Sequence, residues 1–298
     1  MKKIAILGSE NTHATGFARV LCGVLKNDKG EKYFPELELC GVYGDKEGND
    51  RIKNTCGFDA FLEDYNELCG KVDGVMVTAR HGDNHLKYVR SYLETGIPVW
   101  IDKPICASVN DARELCSLLK KYNNLYCGGS LLGLTDEAKQ AKEYYSALDK
   151  KHFRGAMVTA PVNLVNPYGD WWFYSQHLVS LMMSVFGFGV KSVTAVRNND
   201  VTVSAIFRYD GFDVSALFGA DYSVTIFEDN KTHCVPINLD TANFEKAMIA
   251  EVGEYDEVIR QGRVLQPLDE FVKPVFVLDA VKRAFETGRE VEIEDFKA

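Results

Sequence analysis

Apolar runs and amphipathic stretches alternate along the first 129 residues, and no other feature of the sequence restricts the fold as much. Ile4 to Leu7 is a compact apolar run ending at Gly8, followed by a polar turn and an amphipathic segment from His13 to about Lys26. Leu37 to Tyr43 predicts a second strand, closed by Gly44 and Asp45. Phe61 to Leu68 reads as a short helix, and Val72 to Thr78 as a strand packed on both faces. Asn84 to Thr95 is helical in pattern and stops at Gly96, a suitable C-terminal cap. Ile97 to Ile101, Asn110 to Tyr122 and Leu125 to Cys127 continue as strand, helix and strand before Gly128 and Gly129. Strands separated by helices of this length predict an α/β unit, a Rossmann-like, doubly wound parallel sheet.

The second half has a different texture. Asp170 to Phe186 predicts one apolar helix, and Lys191 to Asp240 breaks into strand-like runs separated by Asn198-Asn199, Asp210-Gly211 and Asp229-Asn230. With Phe153 to Val162 they make an α+β unit on an open, mostly antiparallel sheet of about five or six strands, arranged as a meander. At 298 residues the chain suits two domains at about 150 each, and the change of texture puts the boundary between residues 127 and 128, with the C-terminal helices free to pack back on the first domain.

Chemistry concentrates in VWIDKPICAS, residues 99 to 108. Val99, Trp100 and Ile101 fit a buried strand that Pro104 forces to turn, which leaves Asp102 and Lys103 at its C-terminal end. Ligands of open α/β sheets bind at that end, and a lysine there with tunable protonation can serve as an acid or base. The same pair also reads as ordinary surface charge at a turn. After the first strand come Gly8, Ser9, Glu10, Asn11, Thr12 and His13, where a dinucleotide fingerprint would place three glycines and only Gly8 is present. Ser9, Asn11 and Thr12 are good helix caps in any case. Asp45 stands where a carboxylate accepts from an adenosine ribose, and also where an aspartate simply makes a turn. Thr78, Ala79, His85 and Asp102 lie at or just beyond strand ends on the same edge and complete the candidate cofactor contacts. His81 and His85 share a four-residue spacing, but Gly82 intervenes and no third ligand cluster follows, so no metal is expected.

A net charge of -9 argues against a nucleic-acid partner, and 46% hydrophobic with 26% charged residues excludes extended disorder. No run approaches about 18 apolar residues, the length of a membrane span. The opening MKKIAILG is interrupted too early to be the core of a signal peptide. Of the eight cysteines, seven precede residue 128 and none forms a CxxC pair. They read as reduced, buried small hydrophobes in a cytoplasmic protein.

Residues 72 to 108, VDGVMVTARHGDNHLKYVRSYLETGIPVWIDKPICAS, resemble the Gfo/Idh/MocA family of NAD(P)-dependent dehydrogenases, and Phe244 to Ile293 resembles that family's closing helices and final strand. In the family a Glu-Lys-Pro motif follows the fourth strand; here Asp102 replaces the glutamate, while Lys103 and Pro104 match. The resemblance implies an NAD or NADP cofactor, a small sugar or polyol substrate and a frequently cis Lys-Pro bond. The Val, Phe, Tyr and Ala on the face of the C-terminal sheet turned from its helices suggest a subunit contact, and a homodimer or higher homo-oligomer through that sheet is expected, as members of the family often form. The resemblance also implies Lys103 and His177 as the proton-transfer pair. The family's Asp-x-x-x-His pattern appears as Phe173 to His177, with the histidine in place and the aspartate absent. His177 must then be oriented by another group, Tyr174 or a backbone carbonyl being the candidates. Trp171, Trp172 and Tyr174 offer ring faces to a sugar, although paired aromatics also serve as plain core. Asp45 leans towards NAD, because an acid there repels a 2′-phosphate. The changed loop and the missing aspartate also suit a relative that kept the fold for binding or regulation without chemistry.

Overall fold

A computed structural model describes residues 1–294; the last four residues of the expected second domain lie outside the described part. Its first 129 residues fold as β1 (Lys2–Leu7), α1 (Thr12–Leu21), β2 (Leu37–Tyr43), α2 (Lys46–Cys56), β3 (Gly74–Val77), α3 (Asp83–Leu93), β4 (Val99–Asp102), α4 (Val109–Tyr122) and β5 (Tyr126–Gly129). All five strands are parallel, in the order β2-β1-β3-β4-β5. Ile4 to Leu7, Val75 to Val77 and Val99 to Ile101 are fully buried, as expected of strands covered on both faces. β1 is flanked by β2 on one side and β3 on the other, so the sheet's switch point lies at the C-terminal ends of β1 and β3.

Two local expectations change. Phe61 to Leu68 is not a helix: Phe61 bridges to Val42, the Leu62 N–H donates to the Val42 carbonyl, and turns carry the chain on to β3. The backbone groups of 60–62 satisfy the free edge of β2 instead of one another. The helix of this region is α2, whose buried residues are only Gly48 and Ile52. It is held by the Asp45 cap, the Lys46–Asp50 and Glu47–Arg51 ion pairs and a left-handed stop at Gly57, none of which registers as apolar periodicity. Three of the cysteines, Cys106, Cys116 and Cys127, are buried as expected; Cys22, Cys40, Cys56 and Cys69 are half-buried, Cys234 is exposed, and all eight are free thiols.

The remainder contains α5 (Asp136–Ala147), β6 (Phe153–Ala160), α6 (Trp171–Phe186), β7 (Ser192–Arg197), β8 (Val203–Tyr209), β9 (Phe212–Phe218), β10 (Ser223–Glu228), β11 (Thr232–Pro236), α7 (Thr241–Gln261), α8 (Leu268–Thr287) and β12 (Val291–Glu292). Its sheet has seven strands in the order β11-β10-β6-β9-β8-β7-β12. β7, β8 and β9 form the expected hairpins, but β6 enters between β9 and β10, parallel to the first and antiparallel to the second. The meander breaks there because the N–H groups of Gly219 and Ala220, after β9, donate to the Ala160 carbonyl of β6. The face of this sheet that was expected to show Val, Phe, Tyr and Ala carries Val196 and Phe227 with Met157, Ile206 and Leu217 among serines and threonines, while most of its Val, Phe, Tyr and Ala alternate inward.

The chain divides into two compact units, Met1–Gly129 with Phe244–Leu268, and Ser130–Asn243 with the chain from Asp269 onward. Nearly all of α7 thus belongs to the first unit, which a single cut between residues 127 and 128 does not capture. Within that unit Met248 packs on Gly16, Arg19 pairs with Glu245 at 2.6 Å, and the Tyr255 hydroxyl donates to Pro98 at 2.9 Å.

Candidate active site

β4 ends in a carboxylate and an amine that are both buried, Asp102 wholly and Lys103 to 4% exposure. A charge in that position persists only with partners, and Asp102 has three. Its Oδ2 accepts from Asn11 Nδ2 at 2.8 Å and its Oδ1 from the Lys103 backbone N–H at 2.7 Å. His13 Nδ1 stands about equally close to both oxygens, at 3.1 and 3.0 Å. Burial by itself would raise the Asp102 carboxyl, but the His13 ring, followed by Lys103 and His85, outweighs it and holds the group below the usual carboxylate range. Burial draws the Lys103 ammonium below its ordinary value; Asp102 and Glu251 oppose that shift and Arg80 adds to it. A lysine so placed gives up its proton more readily than a surface lysine does. The Lys103–Pro104 peptide is cis, in line with the resemblance.

Several expected cofactor contacts prove to be the internal frame of this site. His85 is fully buried, with Nδ1 2.6 Å from the Pro104 carbonyl and Nε2 2.7 Å from that of Ala79, so it ties the end of β3 to the turn after β4 and presents neither nitrogen outward. Burial is also the main reason its protonation is disfavoured. Thr78, also fully buried, donates its hydroxyl to the Gly8 carbonyl at 3.0 Å, and a side chain at Gly8 would collide with the backbone of Ala79. Ser9 donates to Asn49 at 2.7 Å, while Asn11 accepts from the His13 N–H as the α1 cap and reaches Asp102 with its amide. Asp45 caps α2 through the Gly48 N–H at 2.6 Å. Thr12 is exposed.

The loop after β1 can be tested against a dinucleotide on these contacts. His13, at the place of the third glycine, turns inward to Asp102 and leaves the outer surface of the loop clear. Glu10, at the place of the second, has its Oε1 bound to the Arg80 backbone N–H at 3.1 Å. Arg51 Nη2 donates to the carbonyls of Ser9 and Glu10, both at 3.1 Å, and brings a positive charge against the loop. The residues fit a dinucleotide with the cationic side chain of Arg51 behind the loop in place of the close backbone approach that glycines permit. Among the described residues no cluster of three or more His, Cys, Asp or Glu could hold a metal ion.

His177 belongs to the second unit, on α6, and is 4% exposed. Its Nδ1 lies 2.7 Å from the Ser130 hydroxyl, which also accepts from the Leu132 N–H at 3.3 Å. The serine supplies an orienting contact to Nδ1, and the rings of Tyr174 and Tyr222 each stand 5.9 Å from the imidazole. Phe173, where the acid would stand, packs between Tyr168 and Tyr174. Trp171 is no sugar platform: it is 4% exposed, its indole N–H donates to the Leu278 carbonyl at 3.2 Å, and its ring lies against Phe218 and Phe285. Trp172 and Tyr174 are half-buried and keep ring surface free of the core.

Residues 3–129 match the model of an oxidoreductase family with an NAD-binding Rossmann fold, the Gfo/Idh/MocA family. That match takes in the first domain, a little under half of the chain. A comparison with curated proteins by sequence finds no match. Among solved structures, myo-inositol 2-dehydrogenase from Lactobacillus plantarum is 15% identical with a TM-score of 0.82, covering 98% of this chain and 99% of its own. Scyllo-inositol dehydrogenase from Lactobacillus casei, solved with NAD(H) and scyllo-inositol, is 15% identical at TM-score 0.79, with coverage of 98% and 99%. An oxidoreductase from Agrobacterium radiobacter, in complex with NAD+, L-tartaric acid and magnesium, is 11% identical at TM-score 0.77, with 98% of each chain covered. At these identities the likeness is one of fold. Where the resemblance has a glutamate before Lys-Pro, the shorter Asp102 is met by Asn11 and His13 from a loop with one glycine in place of three. Sequence reading passed over His13, Arg51, Ser130 and Glu251. The aspartate before Lys103-Pro104 and the absence of two glycines from the first loop are the sequence signals that point to this contact.

Proposed function

We propose that this protein is an NAD(P)-dependent dehydrogenase that oxidises or reduces a hydroxyl-bearing carbon of a small sugar, polyol or sugar derivative. The observation that carries the reading is Lys103, a buried amine with its proton loosened by burial, braced by Asp102 at the ligand end of a parallel sheet. Lys103 hydrogen-bonds the reacting oxygen and takes or returns its proton, and His177, oriented by Ser130, is the second proton-transfer group. When bound, the nicotinamide supplies the hydride chemistry. Gly8 and the backbone of Ser9 and Glu10, backed by Arg51, would hold its phosphates, with Thr12 and Asp45 at the margin. Asp45 favours NAD, and Trp172 and Tyr174 are the ring faces offered to the substrate. The polyol class draws support from relatives of the same fold whose names include inositol dehydrogenases.

Titration with NAD(H) and NADP(H) by calorimetry, followed by turnover on a panel of sugars and polyols, tests the reading. Nucleotide binding with turnover that Lys103→Met abolishes is the expected result, and turnover retained in that variant would refute the role of Lys103. Glu10 and His13 in glycine places, with Phe173 in that of the acid, favour a second reading, a relative that binds a small molecule without chemistry. Failure to bind either nucleotide would favour it. We also place the protein in the cytoplasm, on the strength of eight free cysteines and of no described helix long and apolar enough to cross a membrane. The open face of the second sheet, with Ile206 and Phe227 exposed, supports a homodimer, which light scattering would reveal as a doubled mass.

A further inference from the structure

His13 has figured so far only as a partner of Asp102, through one of its two ring nitrogens. It is the second residue of α1, just inside the Asn11 cap, and it is 5% exposed. The cap fixes its backbone, since the Asn11 oxygen accepts from the His13 N–H at 3.1 Å. Aromatic neighbours fix its ring. Phe244 of α7 lies 5.7 Å from the imidazole and Phe17 of α1 6.4 Å, and Phe17 packs edge-on against Trp100 of β4 at 4.6 Å. Held this way, the ring places Nδ1 3.1 and 3.0 Å from the two oxygens of Asp102.

Those distances decide which nitrogen carries the hydrogen. Each Asp102 oxygen already accepts one N–H, from the Asn11 amide at 2.8 Å and from the Lys103 backbone at 2.7 Å, a setting that suits an ionised carboxyl. An ionised carboxylate can only accept, so Nδ1 must be the donor. In the neutral ring Nε2 is then a bare acceptor. Nε2 makes no hydrogen bond among the described residues and is not sealed from solvent. An open acceptor in an otherwise buried ring calls for a partner from outside the chain. Its place is the N-terminus of α1, at the ligand end of the sheet, on the same carboxylate that braces Lys103.

We propose that His13 Nε2 is a hydroxyl-binding position of the site, where the ring accepts a hydrogen bond from an aliphatic O–H of the bound molecule. Two sources present that group, a ribose of the nucleotide and the polyol itself. A glycine at this place in the loop could supply neither the contact to Asp102 nor the acceptor. The ligand assignment rests on the dehydrogenase reading above; the tautomer of His13 does not.

Long-range proton–nitrogen NMR of the full chain labelled at histidine, free of ligand and at alkaline pH, reads the tautomer, with His13 assigned by substituting the other histidines in turn. Hydrogen on Nδ1 with a bare Nε2 is expected; hydrogen on Nε2 overturns the proposal. Two variants then separate binding from stability. His13→Asn keeps an N–H near the place of Nδ1 and loses the acceptor, whereas His13→Gln brings an amide oxygen to the place of Nε2 and loses the contact to Asp102. Each is titrated with NAD+, and then with a panel of polyols at saturating NAD+. One ligand should bind about tenfold more weakly to His13→Asn and less weakly than that to His13→Gln, while the melting temperature falls further in His13→Gln. Weakened NAD+ assigns the ribose hydroxyl, and a weakened polyol alone assigns the substrate. Wild-type affinity of His13→Asn for both, or affinities that simply follow the melting temperatures, overturn the hydroxyl position. If neither variant folds, the wild-type Nε2 resonance decides, since it moves upfield when that nitrogen accepts a hydrogen bond; a resonance unmoved at saturating ligand overturns the proposal. A wild type that binds no ligand defeats the dehydrogenase reading and the ligand role together, whereas a wild type that binds while His13→Asn is unaltered defeats His13 alone, so the two failures are separable.

Discussion

Replacing Asp102 by Asn removes one charge and almost no volume, and the contacts around it set the cost. Asn11 and His13 lose their anionic acceptor, and each charge-assisted hydrogen bond of this kind contributes about 1.5–3 kcal/mol. The new amide offers one acceptor, which the Lys103 N–H can keep, and an NH2 that confronts the Asn11 amide as donor against donor. Asn11 cannot simply turn over, because its oxygen caps α1 through the His13 N–H at 3.1 Å. The expected loss is about 3–5 kcal/mol, the range for breaking a buried pair. At about 2–4 °C per kcal/mol this is on the order of 10 °C in melting temperature at pH 7. Thermal unfolding followed by circular dichroism measures it, and hydrogen exchange of β4 peptides locates it. The folded carboxyl is held below its unfolded value of about 3.9, so its stabilisation is complete above that pH and is lost as pH falls through the folded value. The gap between wild type and Asp102→Asn should therefore narrow below about pH 4. His13→Ala should be less costly in the variant than in the wild type, by about 1.5–3 kcal/mol. A loss under about 1 kcal/mol at pH 7, or a gap independent of acid, would refute a buried, paired carboxylate.

Two further predictions concern the second unit. Ser130→Ala removes the contact to His177 Nδ1 and should lower kcat several-fold and move the pH profile, with KM little changed; a change in KM alone would count against orientation of the ring. Trp171→Ala should cost about 3–5 kcal/mol of stability, as a buried aromatic truncated to Ala does, whereas Trp172→Ala should leave the melting temperature nearly unchanged and raise KM. Equal melting temperatures for the two variants would overturn that assignment.

Local readings succeeded where a single physical signal dominated. The continuous apolar runs of β1, β3 and β4 exist to be buried on two faces, and Asn198-Asn199, Asp210-Gly211 and Asp229-Asn230 do join the strands they separate. α2 escaped notice because capping and i,i+4 ion pairs hold it, and Phe61 was misread because apolar residues that bridge a strand edge look like a helix face. The expected packing of C-terminal helices on the first domain is met by α7, but its extent, Phe244–Leu268, is set by tertiary contacts that leave no mark in local composition.

The sequence by itself determined the alternation of strand and helix, the position of Asp102 and Lys103 at a strand end, and the loss of two glycines from the first loop. Each depends only on residue type and spacing. Tertiary structure decided which of these residues are spent on one another. Asn11 and His13 are some 90 positions from Asp102 and Glu251 nearly 150 from Lys103, and only chain folding brings them to one buried place, where removal from water makes every charge depend on its neighbours. That dependence makes Thr78 and His85 internal braces, and it holds Lys103, its proton loosened by burial, beside an ionised Asp102.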